Sequence, residues 1–438
     1  MKKIKYIILM GLILVPLILS AQSSNETSKE FTISAQIRAR GEYRNGALFP
    51  RNEGESSSSF INNRARLSMG YKHADYLELK FSGQHVGLWG EGVQSKKDGD
   101  FVLNEAWAKL KFGQNFFAQL GRQALSYDDE RILGELDWHV AGRYHDLLKL
   151  GYSKDMSTIH LALAFNQNSD DPKKRGNYFA PGGQPYKSMQ MAWYHHGNNQ
   201  NPFGISLLAM NLGWEKGDDV KDAGNAFMQT IGTYLTYKKD IWDLSGSVYY
   251  QTGKAKPTVL AKDKSVSAYM AALSAKVSIA PDWKLGIGSD YLSGGKAGDE
   301  KHKAFDPLYG THHKFYGSMD YFYASPFANG LNPGLWDNQV GVYYKPSPKV
   351  DMSLNYHYFM TTKKIEIANS KISKSLGSEF DLQVNWSIMP DVKLMAGYSF
   401  MLGTKSMDVI KGGNHKSWQD WGWIAINITP QLFSTKTK

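Results

Sequence analysis

Apolar and polar positions alternate without a break along Phe31–Arg44. Phe31, Ile33, Ala35, Ile37, Ala39, Gly41 and Tyr43 share one parity; Thr32, Ser34, Gln36, Arg38, Arg40, Glu42 and Arg44 share the other. Side chains change face at every residue of a strand, so the pattern predicts one strand with an apolar face and an arginine-bearing polar face. Fourteen extended residues reach about 45 Å at ~3.3 Å each, which is long for a soluble sheet and suits a tilted membrane strand. The pattern recurs. Ala65, Leu67, Met69 and Tyr71 alternate with Arg64, Arg66, Ser68 and Lys72, and Leu77, Leu79 and Phe81 alternate with Glu78, Lys80 and Ser82. Later, Met352–Tyr358 and Phe380–Ile388 repeat it. No stretch beyond residue 21 carries a comparable 3.6-residue period, so the chain reads as all-β.

The connections come in two lengths. Short polar turns fall at Lys72–Asp75, Gly113–Asn115, Ser153–Ser157, Gly197–Gly204, Lys238–Asp240, Pro281–Asp282, Pro346–Lys349 and Pro390–Asp391. Between them run longer loops at Asn45–Ser59, Gly87–Asp100, Ser126–Arg143, Asn166–Ser188, Glu215–Asn225, Thr252–Ser265, Ser293–Leu335, Thr361–Gly377 and Gly403–Gln419. Strict alternation of the two classes predicts a transmembrane antiparallel β-barrel of about eighteen strands, with short periplasmic turns, long extracellular loops and both termini on the turn side. Tyr71, Tyr76, Phe116, Phe117, Trp242 and Trp283 flank the turns, where an interfacial aromatic girdle is expected. A secreted sandwich, propeller or lectin is the alternative, and strands near twelve residues long argue against it.

Composition alone would mislead. A mean hydropathy of −0.43 suggests a soluble chain, but lipid-facing and lumen-facing residues cancel in such an average. Met1–Ala21 has Lys2, Lys3 and Lys5, an apolar run from Tyr6 to Leu19, and the small exit Ser20-Ala21. This predicts a cleaved signal peptide over residues 1–21 and a single barrel domain over 22–438, a retained anchor being the alternative. The 438 residues include no cysteine, which excludes a lipid-modified cysteine and a disulfide framework.

The formal net charge is +10, and all ten arginines precede residue 176. Arg38, Arg40, Arg64 and Arg66 fall mid-strand on the polar face. Facing lipid, each costs roughly 2–4 kcal/mol at the midplane, so they are expected to face the lumen. Arg44, Lys80, Lys109 and Lys111 extend the same sector. Guanidinium binds carboxylate bidentately and stays protonated, so such a wall is expected to favour anions. The alternative is structural: Glu42, Glu78 and Glu105 pair with these groups and brace a filled interior.

The block Gly121–Asp146 carries Gly121-Arg122-Gln123, Tyr127, Asp128, Arg131, Gly134, Asp137-Trp138, Arg143 and Asp146. Together with Asn104-Glu105-Ala106-Trp107 and Phe305–Tyr316, it resembles the alginate-export family of outer-membrane barrels. The resemblance implies an 18-stranded monomeric barrel whose electropositive lumen passes an anionic polysaccharide outward. It implies Arg122, Arg131 and Arg143 as pore or constriction residues, with Asp128, Asp137 and Asp146 fixing them. The second half of the chain has no arginine, so an uptake channel for an acidic oligosaccharide and a general porin with structural arginines stay open.

Other chemistry is sparse. His195-His196 and His312-His313 are neighbours that point to opposite faces of a strand, which does not make a metal site. Asp218, Asp219 and Asp222 lack the spacing of a calcium loop. No nucleophile signature marks a barrel-borne hydrolase. The expectation is a channel without enzymatic activity, metal or cofactor. Its expected partners are membrane lipid and lipopolysaccharide, the barrel-assembly machinery, an anionic polysaccharide or oligosaccharide and periplasmic export proteins, with no nucleic acid.

Overall fold

The computed structural model describes residues 28–91, 101–168, 170, 178–179, 185–197, 200–256, 264–296, 298–322, 332–367 and 370–435. The predicted signal peptide and Arg175 lie outside the described residues. In chain order the first strands are β1 (Lys29–Asn45), β2 (Ser58–His73), β3 (Leu77–Leu88), β4 (Phe101–Phe112), β5 (Phe116–Gln123), β6 (His145–Lys154) and β7 (Ser157–Phe165). Next come β8 (Ser188–His196), β9 (Phe203–Glu215), β10 (Asn225–Lys239), β11 (Trp242–Lys254), β12 (Ser265–Ala280), β13 (Trp283–Leu292), β14 (Leu335–Ser347) and β15 (Val350–Met360). β16 (Ile365–Ile367) and β17 (Ser370–Ile372) form a small hairpin outside the main sheet. The last are β18 (Ser375–Met389), β19 (Val392–Gly403), β20 (Gln419–Ile428) and β21 (Gln431–Ser434), with a short helix α1 (Lys405–Lys411) in the loop before β20.

Each strand of the main sheet pairs antiparallel with its neighbours in sequence, and β1 closes the ring by pairing with β20 and β21. β20 and β21 are one strand interrupted at Thr429–Pro430, because proline has no N–H for the ladder; the Pro430 carbonyl still accepts from Ala35 N at 3.1 Å. Counted so, the barrel is closed and has eighteen strands. The terminal aromatic Phe433 pairs with Ile33, its ring 6.3 Å from that of Phe31, so the closing strand docks although residues follow it. The eight turns and nine loops fall where the polar punctuation predicts them. At two turns Asp155 and Asp240 hold φ of 54° and 53°, a left-handed backbone that aspartate tolerates.

The parity of β1 is the parity of the wall. Ile37 and Tyr43 are 50% and 41% exposed on the outer, lipid-facing side, while Arg38, Arg40 and Glu42 are buried within. Tyr76, Phe116, Trp242 and Trp283 stand outward beside the turns. Phe117 does not join that girdle. It points inward, its ring 4.2 Å from the Lys109 ammonium, and packs over Gly151, where a Cβ would come within 2.0 Å of the ring.

The inner surface divides into three sectors. β1–β4 carry the arginines and lysines. The loop-side halves of β7–β12 are largely apolar within as well as without: Ala162, Met189, Met191, Leu208, Met210, Leu212, Met228, Ala268 and Met270 are buried. β13–β18 carry Asp290, Asp337, Glu379 and Asp381, all buried, with His357 2.9 Å from Asp337 and 3.5 Å from Asp381.

Candidate functional site

Two long connections fold into the barrel and fill its middle. The first, residues 124–144, joins β5 to β6; the second, within 293–334, joins β13 to β14. Leu125, Ile132 and Leu133 of the first and Phe305, Leu308, Tyr309, Tyr316, Met319 and Tyr321 of the second belong to one buried cluster with the apolar wall. That burial explains why β8 and β9 lack clean alternation: their inner face meets protein, not water. The loops also bond to each other through backbone. Tyr309 N donates to Ile132 O at 3.0 Å, Thr311 N to Glu130 O at 2.8 Å and Gly134 N to Tyr309 O at 2.9 Å.

Each wall is matched by the backbone group that suits it. Along the basic wall the first loop presents carbonyls. Arg38 donates to Asp137 O (2.7 Å) and His139 O (3.2 Å), and Arg40 to Trp138 O (3.0 Å). Arg64 donates to Val140 O (2.6 Å) and His139 O (2.6 Å), and Gln84 donates to Ala141 O (2.7 Å). Arg66 donates to two amide oxygens, Gln84 Oε1 at 2.9 Å and Asn104 Oδ1 at 3.4 Å. Along the acidic wall the second loop presents N–H groups. Met319 N donates to Glu379 at 2.7 Å and Ser318 N to Asp381 at 3.2 Å. Each loop thus satisfies buried polar groups that would otherwise be costly.

Carboxylates complete the basic wall. Glu42 takes Arg40 at 2.8 Å, Arg44 at 2.7 Å, Asn62 at 2.6 Å and the Trp421 indole at 3.1 Å. Lys80 meets Glu105 at 2.6 Å, and Lys111 bonds Glu78. Of the pairs implied by the family resemblance, Arg122 and Asp146 form a two-pronged bond of 2.8 and 2.9 Å, with Arg122 stacked 4.2 Å from the Tyr144 ring. The other two acids lie elsewhere. Asp137 serves Arg38 and Arg64, while Asp128 accepts from the Trp193 indole at 3.2 Å. Arg131 instead meets Asp129 (2.7 Å) and Asp290 (2.9 Å), and Arg143 donates to Gly310 O at 2.9 Å. Sequence reasoning missed Asp129, Asp290 and Glu379. Asp290 and Glu379 are acids at inward-facing strand positions, and Asp129 lies two residues from Arg131.

The ionisable groups of the loops reflect this packing. Burial pushes the Asp128 carboxyl above the usual range. Burial, with Arg40 and Arg64 nearby, holds the His139 imidazole below its ordinary value. Burial brings His312 down to about 4. His313 stacks on Trp138 at 4.2 Å and bonds Asp320 at 2.9 Å. The paired histidines are thus packing residues, and among the described residues no group of three or more metal-ligating side chains gathers.

The docked loops lie between two open cavities. On the loop side, a cavity of about 730 Å³ is lined by Arg122, Arg143, Tyr144, Asp146, Asn166 and Phe179. On the turn side, one of about 690 Å³ is lined by Asp129, Arg131, Trp138, Tyr234, Lys276, Lys314 and Tyr343, among others. Polar mouths at both ends of a closed barrel are what a channel requires.

Comparison with curated proteins gives no match. Among solved structures, the barrel is similar to OccAB1 of Acinetobacter baumannii, with a TM-score of 0.63 at 12% identity over 92% of this chain and 97% of that one. It is similar to OccK2 (OpdF) of Pseudomonas aeruginosa in complex with glucuronate, with a TM-score of 0.60 at 12% identity over 92% and 98%. It is also similar to OpdK of Pseudomonas aeruginosa with vanillate, at 0.60 and 10% over 92% and 98%. Likeness at such identity speaks for the fold. The family model described as alginate export matches residues 30–404. The chain belongs to the alginate-export family, as an outer-membrane β-barrel channel.

Proposed function

We propose that this channel passes anionic solutes, with an acidic polysaccharide or oligosaccharide such as alginate as the class, by electrodiffusion along its arginine-bearing sector. One observation carries the reading. Of five clustered guanidinium groups, those of Arg38, Arg40, Arg44 and Arg64 share two carboxylates, Glu42 and Asp137, and that of Arg66 donates to the amide oxygens of Gln84 and Asn104. Their other hydrogen-bond partners are neutral carbonyls and amides. A carbonyl satisfies a guanidinium donor without cancelling its charge, so the sector keeps a positive potential that low-dielectric surroundings extend. Arg122 and Arg143 continue it toward the outer mouth, and Lys109 toward the turn side. The complexes of OccK2 with glucuronate and of OpdK with vanillate are consistent with a carboxylate-bearing solute.

A second reading also has an observation behind it. The donors of Arg38, Arg40 and Arg64 are occupied by the inward loop, so the arginines could serve only to seat it, in an uptake or general porin. Reversal potentials across a planar bilayer under a KCl gradient separate the two. Anion preference that weakens when Arg66, Lys80, Lys109 and Arg122 are all replaced by Gln supports the first reading. A wild-type channel without anion preference overturns it.

A further inference from the structure

Near the turn-side end of β1–β4, four residues stand directly opposite one another in register on the lumen face: Thr32, Gly70, Lys80 and Trp107. Thr32 shares the parity of Arg38 but lies six residues before it in β1, about 20 Å nearer the turns at ~3.3 Å per residue. Gly70 has no side chain, so the row dips between Thr32 and Lys80. The dip is an open cavity of about 240 Å³, with room for one sugar ring. One step toward the loops it is bordered by Ser34 and Ser68, themselves opposite each other.

One carboxylate sets the far side of this hollow. Glu105 accepts from the Trp107 indole N–H at 2.9 Å and from the Lys80 ammonium at 2.6 Å. The indole is thus fixed in orientation while it stays half-buried. Phe117 on β5 has Lys109 over its ring and Gly151 against it, whereas among the described residues no ring or cation stacks on Trp107. The Lys80 side chain is 38% exposed and gives Glu105 one of its three N–H donors, so two remain for a solute. An aromatic face, an ammonium and two hydroxyls around a ring-sized hollow suit a pyranose. Its C–H face packs on the indole, and its hydroxyls and carboxylate meet the polar groups. An acid without a ring gains only the polar half.

We infer that this hollow is a saccharide subsite on the turn side of the docked loops, where one sugar ring of the passing chain stacks on Trp107 while Lys80 takes its carboxylate. The inference rests on the acidic-saccharide reading above and adds that the channel recognises the ring as well as the charge. One stacked ring is held weakly enough to leave again, which a site along a channel requires.

The test is block of single-channel current by glucuronate, a sugar acid with a ring, and by gluconate, an open-chain acid of equal charge. Both are measured in wild type, Trp107→Ala, Trp107→Phe and Gly70→Val. In wild type the half-blocking concentration should be lower for glucuronate by about five-fold, the size of one aromatic contact. Trp107→Ala should erase that difference, and Trp107→Phe, which keeps an aromatic face, should retain most of it. Gly70→Val fills the hollow and leaves Trp107 in place. Its Cβ meets only the movable Thr32 hydroxyl, at 2.7 Å, and it too should erase the difference. Equal block by the two acids in wild type, or a preference for glucuronate that survives Trp107→Ala, overturns the subsite. Wild-type reversal potentials keep the two readings apart. Equal block with anion preference kept overturns the subsite alone, and equal block without anion preference overturns both.

Discussion

The guanidinium of Arg131 lies 2.9 Å from the carboxylate of Asp290, and both side chains are buried in the middle of the barrel. Arg131 belongs to the inward loop that the basic wall holds, and Asp290 to β13 on the acidic wall, so this one contact spans the lumen. Breaking a buried pair by removing one member costs about 3–5 kcal/mol, because the other charge is left without a partner. Arg131→Met is expected to release residues 124–144 from their seat, seen as protease cleavage within the loop. Arg131→Met combined with Asp290→Asn should recover most of the protection, since no orphan charge remains.

Gly310 lies at a close approach of the two loops. A Cβ there would lie 2.2 Å from Arg131 O and 2.8 Å from Glu130 O, both main-chain atoms with little freedom to move. Gly310→Ala should part the loops and raise single-channel conductance. Gly224→Ala, whose Cβ would meet nothing nearer than 3.7 Å, should leave conductance as it is.

His312 gives the docked loops a pH dependence with a definite sign. Its imidazole is held down to about 4 by burial, against an ordinary value of 6.5. A group that binds protons more weakly when docked loses docking energy as pH falls from 6.5 toward 4, and contributes no further change below that. The Asp128 carboxyl of the first loop is pushed up by burial and acts in the opposite sense, so the comparison must be with a His312→Gln variant. Loop protection measured by proteolysis should fall across that interval in wild type and fall less in the variant.

The outer face should be as intolerant of charge as the inner face is rich in it. Ile424 is 55% exposed and sits between Gly41 and Ala396 on neighbouring strands. Ile424→Arg is expected to destabilise the barrel in lipid by roughly 2–4 kcal/mol, the cost of arginine near the midplane. Urea unfolding in vesicles measures it; a change under ~0.5 kcal/mol would place this residue away from the hydrocarbon.

The barrel was legible in the order of residues because its information is local. Face alternation needs only neighbours, and turn chemistry needs only a few residues, so Phe31–Arg44 announces its inward and outward sides without reference to anything else. The same logic put Arg38, Arg40, Arg64 and Arg66 on the inside. It was silent at β8 and β9, where Met189, Met191, Leu208, Met210 and Leu212 are buried inward while Leu207 is exposed outward. A strand apolar on both faces carries no period-2 signal. It misplaced Phe117, because an aromatic next to a turn reads the same whether it points to lipid or to the lumen.

What filled the lumen was a tertiary matter. The contacts of Arg38 with His139 O, of Arg131 with Asp290 and of Met319 N with Glu379 join residues remote along the chain. Main-chain carbonyls and N–H groups are present at almost every residue, so no sequence position advertises which of them will meet a guanidinium or a carboxylate. Alternation determined that Phe31–Arg44 is a barrel strand with its arginines turned inward. The fold of the two long loops decided what those arginines hold, because a side chain's partner depends on which backbone is brought to it in space.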